Sequence, residues 1–458
     1  MNNKNITVNK IVEICNGKLL AGEKNIEIET YSKDTRTLNK GDMYLGIKGE
    51  KINGNDYIEQ AFINGAIGCI TDENVSEKII NKYKKEKVII KVENTIKAIQ
   101  ELAKYKRSLY DIPVIAVTGS VGKTSTKDII ANVLEQKYKV LKTEGNMNNH
   151  IGLPMTLLKL KDHTAVVVEM GMNHFGEISL LTNIAKPTGC VITNIGTSHI
   201  GNLGSRENIL KAKLEILEGL DKNGFVLINN DNDLLHEWAK KEKRYKIYTY
   251  GLENNSTYMA KKITTLENSS EFEINGIKGN VPIGGIHFVY NSVCAFAVGD
   301  ILNVEKEKII KGISKFKLTA KRMDIEIIKN NIKVINDSYN ASYDSMKAAL
   351  EVVNNTLAQR KIAILGDMLE LGEYAKELHE KVGEEVVKNK IDILITIGEN
   401  AKNIANKAKE LKMENVKSFN NIDEAIKNIK EIIKSGDLIL LKASNSMNFS
   451  KILNEIKA

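Results

Sequence analysis

The chain has 458 residues, too many for one hydrophobic core, and we therefore expect about three domains. Hydrophobic residues make up 42% of the sequence, so each domain can bury an adequate core. The 66 Lys and Arg outnumber the 58 Asp and Glu, which gives a net charge of +8. These charges are scattered over solvated helix faces, which argues against a nucleic-acid partner and favours small anionic substrates.

Neither the cysteines nor the N-terminus indicates an exported or membrane-bound protein. The four cysteines lie far apart in apolar surroundings, and we expect reduced core residues rather than a metal cluster (Cys15, Cys69, Cys190, Cys294). The first residues lack the apolar core of a signal peptide, and no apolar run approaches the length of a membrane span. We expect a cytoplasmic protein without membrane insertion, and a monomer.

The predicted elements indicate an α/β fold of three successive domains. Residues 1–109 contain short strands and helices, including an apolar segment at 41–47 and a helix at 94–108. Residues 110–315 begin with a strand at 114, and further apolar strands follow it in a predicted parallel sheet (165–169, 190–194, 225–228).

Residues 316–458 alternate strands with helices in a plain βαβα rhythm. Four apolar strand segments are each followed by a helical segment (334–335 and 345–354; 361–365 and 375–388; 391–397 and 400–411; 438–441 and 448–456). That rhythm predicts a parallel, Rossmann-like sheet covered on both faces. Polar residues follow its strands, where open α/β sheets bind their ligands (Asp337, Asp367, Gly398, Ser444).

A phosphate-binding loop is predicted where the strand at 114 ends. Gly119 and Gly122 allow the backbone to approach a phosphate, and Lys123 supplies a positive charge. A hydroxyl for Mg²⁺ comes from Thr124 or Ser125, and the following helix directs its positive end at the anion. The alternative, a glycine-rich turn, leaves the Gly-Lys-Thr-Ser run unexplained. The predicted nucleotide-triphosphate loop is therefore Thr118, Gly119, Ser120, Val121, Gly122, Lys123, Thr124 and Ser125, a short variant with Val117 at the position of the usual first glycine.

Two further residues follow neighbouring strands. Glu169 ends a buried apolar run, where a carboxylate beside a phosphate loop can hold Mg²⁺ or its water. The alternative is an ordinary glutamate at a strand end. His199 comes after the strand at 190–194 and is either a hydrogen-bonded structural histidine or part of the site.

Lys213 occupies an unusual position on a predicted helix that begins near 206. One face of that helix is apolar apart from this lysine (Ile209, Leu210, Lys213, Ile216, Leu217, Leu220), and the opposite face is solvated (Lys211, Glu215, Glu218). A lysine centred on the apolar face must extend its ammonium to solvent, lose its charge or be used chemically. Asn291, before a buried helical run, either offers its amide to a purine edge or caps a helix.

The ordered motifs resemble those of the Mur ligase family over essentially the whole chain. After the phosphate loop, the matching motifs are Asn148-Asn149-His150-Ile151-Gly152-Leu153-Pro154, Glu169-Met170-Gly171, His199, Lys213 and Gly285…His287…Asn291. The last portion is similar to the branch that adds D-alanyl-D-alanine (Asp337-Ser338-Tyr339-Asn340-Ala341, Ser345-Met346 and 366–372). The N-terminal segment resembles the uridine-nucleotide domain of the same branch (Asp34-Thr35-Arg36, Gly41-Asp42, Gly49, Gly54-Asn55-Asp56).

The resemblance implies a metal site that accounts for Lys213. Its side chain would be carbamylated, which turns an ammonium into a carboxylate that binds Mg²⁺. His199 and Glu169 would share this site, and Thr124 would coordinate the Mg²⁺ bound to the nucleotide. The implied catalytic residues are Lys123, Glu169, His199, Lys213 and Arg322, with Asn291 and Arg322 added to the loop as ATP-binding residues.

The resemblance also implies the reaction. ATP would phosphorylate the terminal carboxylate of UDP-N-acetylmuramoyl-tripeptide, and the amine of D-alanyl-D-alanine would then attack the acyl phosphate. This amide ligation belongs to the synthesis of peptidoglycan precursors for the cell wall, and ATP, Mg²⁺ and a carbamylated Lys213 are the implied cofactors. The first domain would bind the UDP-linked substrate and the last the dipeptide. The implied substrate-binding residues are Asp34, Thr35, Arg36, Asn148, Asn149, Asp337, Tyr339, Asn340 and Ser345.

Some positions depart from the family pattern and leave alternatives open. Lys321 and Tyr343 stand where other residues are usual, and Ala443 and Asn445 occupy a segment that resembles Lys-Gly-Ser-Arg. Within the family, the alternative is a ligase that adds the third peptide residue, although the Asp-Asn-Pro-Arg motif of the diaminopimelate-adding enzymes is absent. Outside it, the alternative is a nucleotide-binding homologue without catalysis.

Overall fold

The computed structural model describes residues 4–318 and 322–457, so Lys321 lies outside the described residues. Its first seven strands are short: β1 Ile6–Thr7, β2 Lys18–Ala21, β3 Glu27–Ile28, β4 Tyr31–Ser32, β5 Met43–Gly46, β6 Gly68–Thr71 and β7 Val88–Lys91. Four helices accompany them: α1 Val8–Ile14, α2 Ile58–Ile63, α3 Glu77–Tyr83 and α4 Thr95–Ser108. Five strands form one sheet in the order β2-β7-β6-β5-β4, and β1 pairs with β3.

The next nine strands form a single large sheet. They are β8 Val114–Thr118, β9 Val140–Lys142, β10 Ala165–Glu169, β11 Gly189–Ile192, β12 Phe225–Asn229, β13 Lys246–Gly251, β14 Tyr258–Thr265, β15 Ser270–Ile274 and β16 Ile277–Val281. The helices of this part are α5 Lys123–Leu134, α6 Gly152–Leu158, α7 Glu177–Ala185, α8 Ile200–Leu203, α9 Arg206–Leu214, α10 Asp233–Lys241, α11 Ile286–Ile301 and α12 Lys306–Ser314. The strand order is β16-β15-β14-β13-β12-β11-β8-β10-β9.

The predicted parallel sheet is confirmed for β8 to β14 but is extended at one edge. Strands β8 to β14 pair in parallel, whereas β15 and β16 add an antiparallel hairpin that the sequence analysis did not predict. The parallel strands near the centre are buried along their whole length, as expected for a sheet covered on both faces. Their carboxyl ends therefore meet at one edge.

The last six strands form a second mostly parallel sheet, as predicted. They are β17 Asp324–Ile328, β18 Ile332–Asn336, β19 Arg360–Gly366, β20 Ile393–Ile397, β21 Val416–Phe419 and β22 Asp437–Lys442, in the order β17-β18-β22-β19-β20-β21. Their helices are α13 Tyr343–Asn355, α14 Ala375–Lys388, α15 Lys402–Glu410, α16 Ile422–Ile432 and α17 Ser450–Lys457. The antiparallel edge strand β17, the strand β21 and the helix α16 were not predicted.

The helix that carries Lys213 is shorter than its apolar pattern suggests. It ends at Leu214, and residues Glu215–Gly219 continue as a 3₁₀ helix. The Thr182 hydroxyl donates to the carbonyl of Ile216 (2.7 Å), and a side chain at Gly219 would collide with Thr182. Tertiary packing therefore tightens the chain where periodicity alone predicts a continued α-helix.

Two smaller predictions have different outcomes. The four cysteines form no disulfide, and three of them are buried, as expected of reduced core residues. Glu215 was predicted to be solvated, but its carboxylate accepts hydrogen bonds from the backbone amides of Gly176 and Ser179 at the start of α7. In the described parts of the chain, no helix is both long and apolar enough to span a bilayer.

Candidate functional site

Strand register places the predicted ATP-site residues at one edge of the large sheet. Glu169, the last residue of β10, lies opposite Val117 of β8, and Ile192 of β11 lies opposite Thr118. The phosphate loop, Glu169 and the loop after β11 therefore emerge side by side. This edge carries the carboxyl ends of parallel strands, where α/β sheets bind ligands.

The phosphate loop has the backbone conformation that its glycines predict. Gly122 has φ +80° and precedes α5, while Gly119 has φ +150°. A Cβ at Gly119 would come within 1.9 Å of the Thr193 hydroxyl, so only glycine fits there. The Lys123 ammonium folds back over the loop and donates to the carbonyls of Gly119 (2.8 Å) and Ser120 (3.3 Å).

Glu169 is buried and joins two other predicted site residues. Its carboxylate accepts hydrogen bonds from the Thr124 hydroxyl (2.8 Å) and from the side-chain amide of Asn148 (2.7 Å). The three side chains come from β10, from the first turn of α5 and from the segment before α6. This grouping of a carboxylate, a hydroxyl and an amide oxygen offers oxygen atoms of the kind that bind Mg²⁺.

Positive charges converge beside this group. Lys213 is only 2% exposed, and no hydrogen bond or ion pair of its side-chain nitrogen is found among the described residues. Burial lowers its pKa well below the usual value, and the nearby charge of Lys123 lowers it further. Burial also lowers the pKa of Lys123, Glu169 opposes that shift, and the charge of Arg322 adds to it. Lys123 and Arg322 thus face a region where a polyanion would balance their charges, with Lys213 buried nearby.

His199 lies at the same edge but contacts the last sheet. It has φ +65° and precedes the short helix α8. Its Nδ1 lies 2.6 Å from the Glu370 carboxylate, and this hydrogen bond lowers the pKa of Glu370. The backbone amide of Gly201 donates to the carbonyl of Glu370 (3.1 Å). No hydrogen bond between His199 and Glu169 or Lys213 occurs within the described residues.

On the other side of the phosphate loop lies a second group of polar residues, from β12 and α11. The Asn291 side-chain oxygen accepts from the Thr126 hydroxyl (3.0 Å). The Asp231 carboxylate accepts from the Tyr290 hydroxyl (2.9 Å) and from three backbone amides of the loop at 252–254. Asn291 does not cap α11, whose cap residue is Gly285, so the helix-cap alternative for Asn291 is wrong.

The edge of the last sheet faces the phosphate loop. Arg322 stacks on the ring of Tyr339, 3.8 Å from its centroid. The Asp337 carboxylate is bound by the Lys442 ammonium and accepts from the backbone amide of Met323 (3.1 Å). Lys442 also donates to the carbonyl of Asn340 (3.1 Å). One buried lysine therefore fixes the loop that carries Tyr339.

Two predicted substrate-binding side chains of this edge have local partners. The Asn340 side-chain oxygen accepts from the amide of Ala341, and Ser345 forms a reciprocal capping box with Ser342 at the start of α13. In the same way, Asn149 accepts from the amides of Ile151 and Gly152.

The positions that depart from the family pattern have ordinary surroundings. Ala443 is fully buried and packs near Gly366, and the Tyr343 hydroxyl lies 3.4 Å from the Glu385 carboxylate. Asn445 is exposed at the edge of the same cavity.

The two facing edges enclose a cavity of about 1280 Å³. It brings together most of the predicted residues of the second and third domains (Ser120, Val121, Gly122, Lys123, Thr124, Ser125, Asn148, Asn149, Glu169, His199, Asn291, Arg322, Asp337, Tyr339, Asn340, Ser345). Thr118, Gly119 and Lys213 are not among the lining residues. Thr118 is buried and donates to the carbonyl of Met170 (2.9 Å).

The N-terminal residues of the predicted uridine site lie apart from this cavity. Asp34, Thr35 and Arg36 are not among its lining residues. The Asp34 carboxylate accepts from the backbone and the guanidinium of Arg36, and these bonds lower the pKa of Asp34 to about 2. Arg36 itself remains largely exposed.

The sequence analysis missed several residues that shape the cavity (Asn194, Asp231, Asp344, Lys442). Asn194 and Asp231 follow strands of the central sheet, so their positions at strand ends were an available signal. Asp344 and Lys442 act across long sequence separations, and no local pattern marks their partners. No group of three or more His, Cys, Asp and Glu able to hold a metal ion is found in residues 4–318 and 322–457.

Comparison with protein families gives three matches along the chain. Residues 27–107 match the model described as Mur ligase family, catalytic domain. Residues 117–299 match the Mur ligase middle domain, and residues 321–445 match the Mur ligase, glutamate ligase domain.

Curated proteins and solved structures resemble the chain over nearly its full length. The UDP-N-acetylmuramoyl-tripeptide–D-alanyl-D-alanine ligase of Bacillus subtilis (strain 168) is 37% identical, with 98% of each chain covered. The ligase of the same name from Escherichia coli (strain K12) is 31% identical, with 86% of each covered. A crystal structure of MurF from Acinetobacter baumannii has a TM-score of 0.89 at 27% identity, with 100% of each chain covered. MurF ligase from Thermotoga maritima, solved in complex with ADP, has a TM-score of 0.80 at 27% identity and covers 94% of this chain and 97% of its own.

Proposed function

The chain belongs to the Mur ligase family, and we propose that it joins D-alanyl-D-alanine to UDP-N-acetylmuramoyl-tripeptide with the use of ATP. The relatives that carry this name match the chain from end to end. The observation that supports the proposal most is the convergence of Lys123, Arg322 and Glu169 on one cavity, with Lys213 buried near Lys123. This reaction makes a peptidoglycan precursor, and we propose that it takes place in the cytoplasm.

The phosphates of ATP fit the loop at the edge of the large sheet. The strand–loop–helix sequence offers backbone amides and the positive end of α5 to an anion. Lys123 at present donates to carbonyls of its own loop, and a phosphate would provide a stronger, charged acceptor. Asn291 would face the adenine, and Arg322 would approach the phosphates from the last sheet.

Mg²⁺ fits the oxygen-rich group around Glu169. The Thr124 hydroxyl and the Glu169 carboxylate are already in contact, and both are atoms that this ion prefers. When bound, the ion would neutralise charge on the reacting phosphate and carboxylate oxygens. Because the described residues contain no complete cluster of acidic ligands, the site needs a further anionic ligand.

A carbamylated Lys213 would supply that ligand. Its neutral amine adds to CO₂, a C–N bond forms, and one proton is released as the carbamate appears. The reaction replaces a buried amine that has no described anionic partner with a carboxylate that can pair with a metal ion. His199 would complete the set of residues around the metal. It would do so either with its hydrogen bond to Glu370 kept or after that bond breaks.

The protein residues would bring two anions together and hold them for transfer. The carboxylate of the tripeptide attacks the terminal phosphorus of ATP, the bond to ADP breaks, and an acyl phosphate forms. The dipeptide amine then attacks the acyl carbon, and phosphate leaves with one oxygen of the original carboxylate. Lys123, Arg322 and the loop amides stabilise the negative charge in both steps, and a closed cavity keeps water from the acyl phosphate.

Each sheet is assigned one part of this reaction. We assign residues 1–109, with Asp34, Thr35 and Arg36, to the UDP-linked substrate, and residues 110–315 to ATP. Residues 316–458 would hold the dipeptide near Tyr339, on the loop that Lys442 fixes. Asp337, Asn340 and Ser345 form hydrogen bonds within the protein, so we propose that they shape this subsite. Only the exposed atoms of these residues would contact the dipeptide directly.

The proposal is tested by ADP release in a coupled assay. The expected result is release that requires both UDP-N-acetylmuramoyl-tripeptide and D-alanyl-D-alanine, with an equal amount of ligated product by mass spectrometry. Omission of either substrate is the control. Release that instead requires UDP-N-acetylmuramoyl-dipeptide and a free diamino acid would establish the third-residue ligase, and binding of ATP without any substrate-dependent release would establish a catalytically inactive homologue.

A further inference from the structure

A loop after β11 touches the phosphate loop on one side and the last sheet on the other. We call residues 193–199 the bridging loop. It runs from the end of β11 to the start of α8 and ends at His199. A change in the position of the last sheet can therefore alter the phosphate loop through the bridging loop.

The side of the bridging loop that faces the phosphate loop is densely hydrogen-bonded. The Asn194 side chain accepts from the backbone amide of Val121 and donates to its carbonyl, both at 3.0 Å. The Asn194 carbonyl accepts from the amide of Ser120 (3.0 Å), and the Thr193 hydroxyl donates to the carbonyl of Val121 (2.7 Å). The amide of Gly196 donates to the Ser120 hydroxyl (2.9 Å). These bonds fix the backbone of Ser120 and Val121.

The opposite side of the bridging loop is held by Asp344 of α13. One oxygen of its carboxylate accepts from both the amide of Thr197 (2.8 Å) and the hydroxyl of Thr197 (3.0 Å). A Cβ at Gly196 would lie 2.3 Å from that oxygen, so the approach depends on a glycine. The two partners are 147 residues apart in the chain and belong to different sheets.

Asp344 is itself held in place by the start of its helix. It lies in the first turn of α13, where Ser342 and Ser345 form a capping box. A carboxylate in that position is favourable for the helix by itself. Its second use, as acceptor for Thr197, ties the N-terminus of α13 to the bridging loop.

We propose that Asp344 is a positioning residue for nucleotide binding: by holding Thr197 it keeps the bridging loop, and through Asn194 the phosphate loop, in the shape that receives the phosphates. The effect of Asp344 on nucleotide binding follows from the geometry alone, whereas any effect of Asp344 on ligation rests on the proposed function. Docking of the last sheet and shaping of the phosphate loop are then coupled, so each favours the other by the same factor.

Two other roles for Asp344 make different predictions. A carboxylate at the cavity wall could bind the dipeptide ammonium directly, in which case its loss would raise the KM for the dipeptide and leave the phosphate loop unchanged. A purely local helix role would lower thermal stability without altering nucleotide affinity. Only the positioning role changes backbone protection at 118–125, which Asp344 does not touch.

The experiment compares Asp344→Ala and Asp344→Asn with the wild type. The control is Glu351→Gln on the same helix, for which no hydrogen bond or ion pair is found among the described residues. Hydrogen exchange of peptides covering 118–125 and the Kd for ADP are measured in the full chain. We expect Asp344→Ala to exchange faster there and to bind ADP about tenfold more weakly. Asp344→Asn, which keeps an acceptor, should recover part of the loss, and Glu351→Gln should match the wild type.

Unchanged exchange at 118–125 together with unchanged ADP affinity in a folded Asp344→Ala would overturn the proposal. If that variant does not fold, Thr197→Val removes one of the two donors, and a failure to raise the Kd for ADP would have the same meaning. A protein that binds ADP as predicted but ligates no substrate would refute the proposed function and leave the role of Asp344 intact.

Discussion

Two sheet edges face each other across the cavity, and their buried lysines differ in whether they have an anionic partner within the protein. At the edge of the large sheet, Lys213 is buried without a described anionic partner, and Lys123 is paired only with carbonyls. At the edge of the last sheet, the comparable buried cation, Lys442, has the Asp337 carboxylate as its partner. The first edge is therefore incomplete without an anion, while the second is complete within the protein.

This difference separates residues that bind a ligand from residues that hold the loops of the cavity in their conformation. A buried charge without a partner is strongly unfavourable, so the first edge is expected to gain most from nucleotide, metal and carbamate. A buried charge with a partner needs nothing further, and its removal should disturb the fold of the loop before it disturbs the chemistry. The comparison therefore predicts losses of activity at the first edge and losses of stability at the second.

The largest effect is expected for Lys123→Ala. The substitution removes a cation that stabilises the transferred phosphoryl group, and the turnover rate should fall by about a hundredfold or more. Thermal unfolding should be nearly unchanged, because the ammonium donates only to carbonyls of its own loop. Near-normal turnover at saturating ATP would refute the phosphate-loop assignment.

Lys213→Ala should also reduce activity strongly, because a metal ligand is lost. A small carboxylic acid added to the assay should restore part of it by filling the vacated space. The matched control is Lys211→Ala, two positions away on the exposed face, which should be nearly silent. Equal losses from both variants would indicate general damage to α9, and full activity of Lys213→Ala would end the carbamate hypothesis.

Lys442→Met is expected to act on stability first. It leaves the partly buried Asp337 carboxylate without its cation, which lowers the free energy of unfolding by about 3 kcal/mol, the lower end for a buried pair. Urea unfolding measures this loss, and the double variant with Asp337→Asn should recover part of it. A stable Lys442→Met with a large loss of turnover would instead place Lys442 among the residues that bind substrate.

The smallest effect concerns pH. Burial lowers the pKa of His287 to about 4 from its usual 6.5, Asp337 opposes that shift, and Lys442 adds to it. Because the unfolded chain takes up the proton first, His287 contributes stability above pH 6.5 that is lost as pH falls towards 4. His287→Asn should therefore lose less stability between pH 7 and pH 5 than the wild type, measured by urea unfolding. An equal loss would contradict this reading.

Local patterns predicted much of the first edge and little of the second. The apolar strand and the Gly-Lys-Thr-Ser run predicted the phosphate loop. The apolar face around Lys213 left three alternatives open, and its burial excludes an ammonium extended to solvent. The early end of α9 could not be predicted, because it depends on Thr182 from another helix. The bonds of Asp337 to Lys442 and of Thr197 to Asp344 join residues 105 and 147 positions apart, beyond the reach of any periodicity.

The same reasoning explains what the sequence leaves open about the last sheet. The segment at 337–345 was predicted to bind substrate because it follows a strand end and matches a family motif. Sequence cannot tell whether a polar side chain at such a place faces a ligand or a neighbouring backbone group. Ser345 caps its own helix and Asn340 accepts from the next residue, so part of that motif serves to form the loop itself.

The central claim is that the first edge activates a carboxylate with ATP for amide formation. It is tested most directly with UDP-N-acetylmuramoyl-tripeptide labelled with ¹⁸O in both oxygens of its terminal carboxylate. Mass spectrometry of the phosphate released in the presence of ATP and D-alanyl-D-alanine should find one labelled oxygen per phosphate formed. Phosphate without label, released together with ligated product, would contradict the acyl-phosphate account.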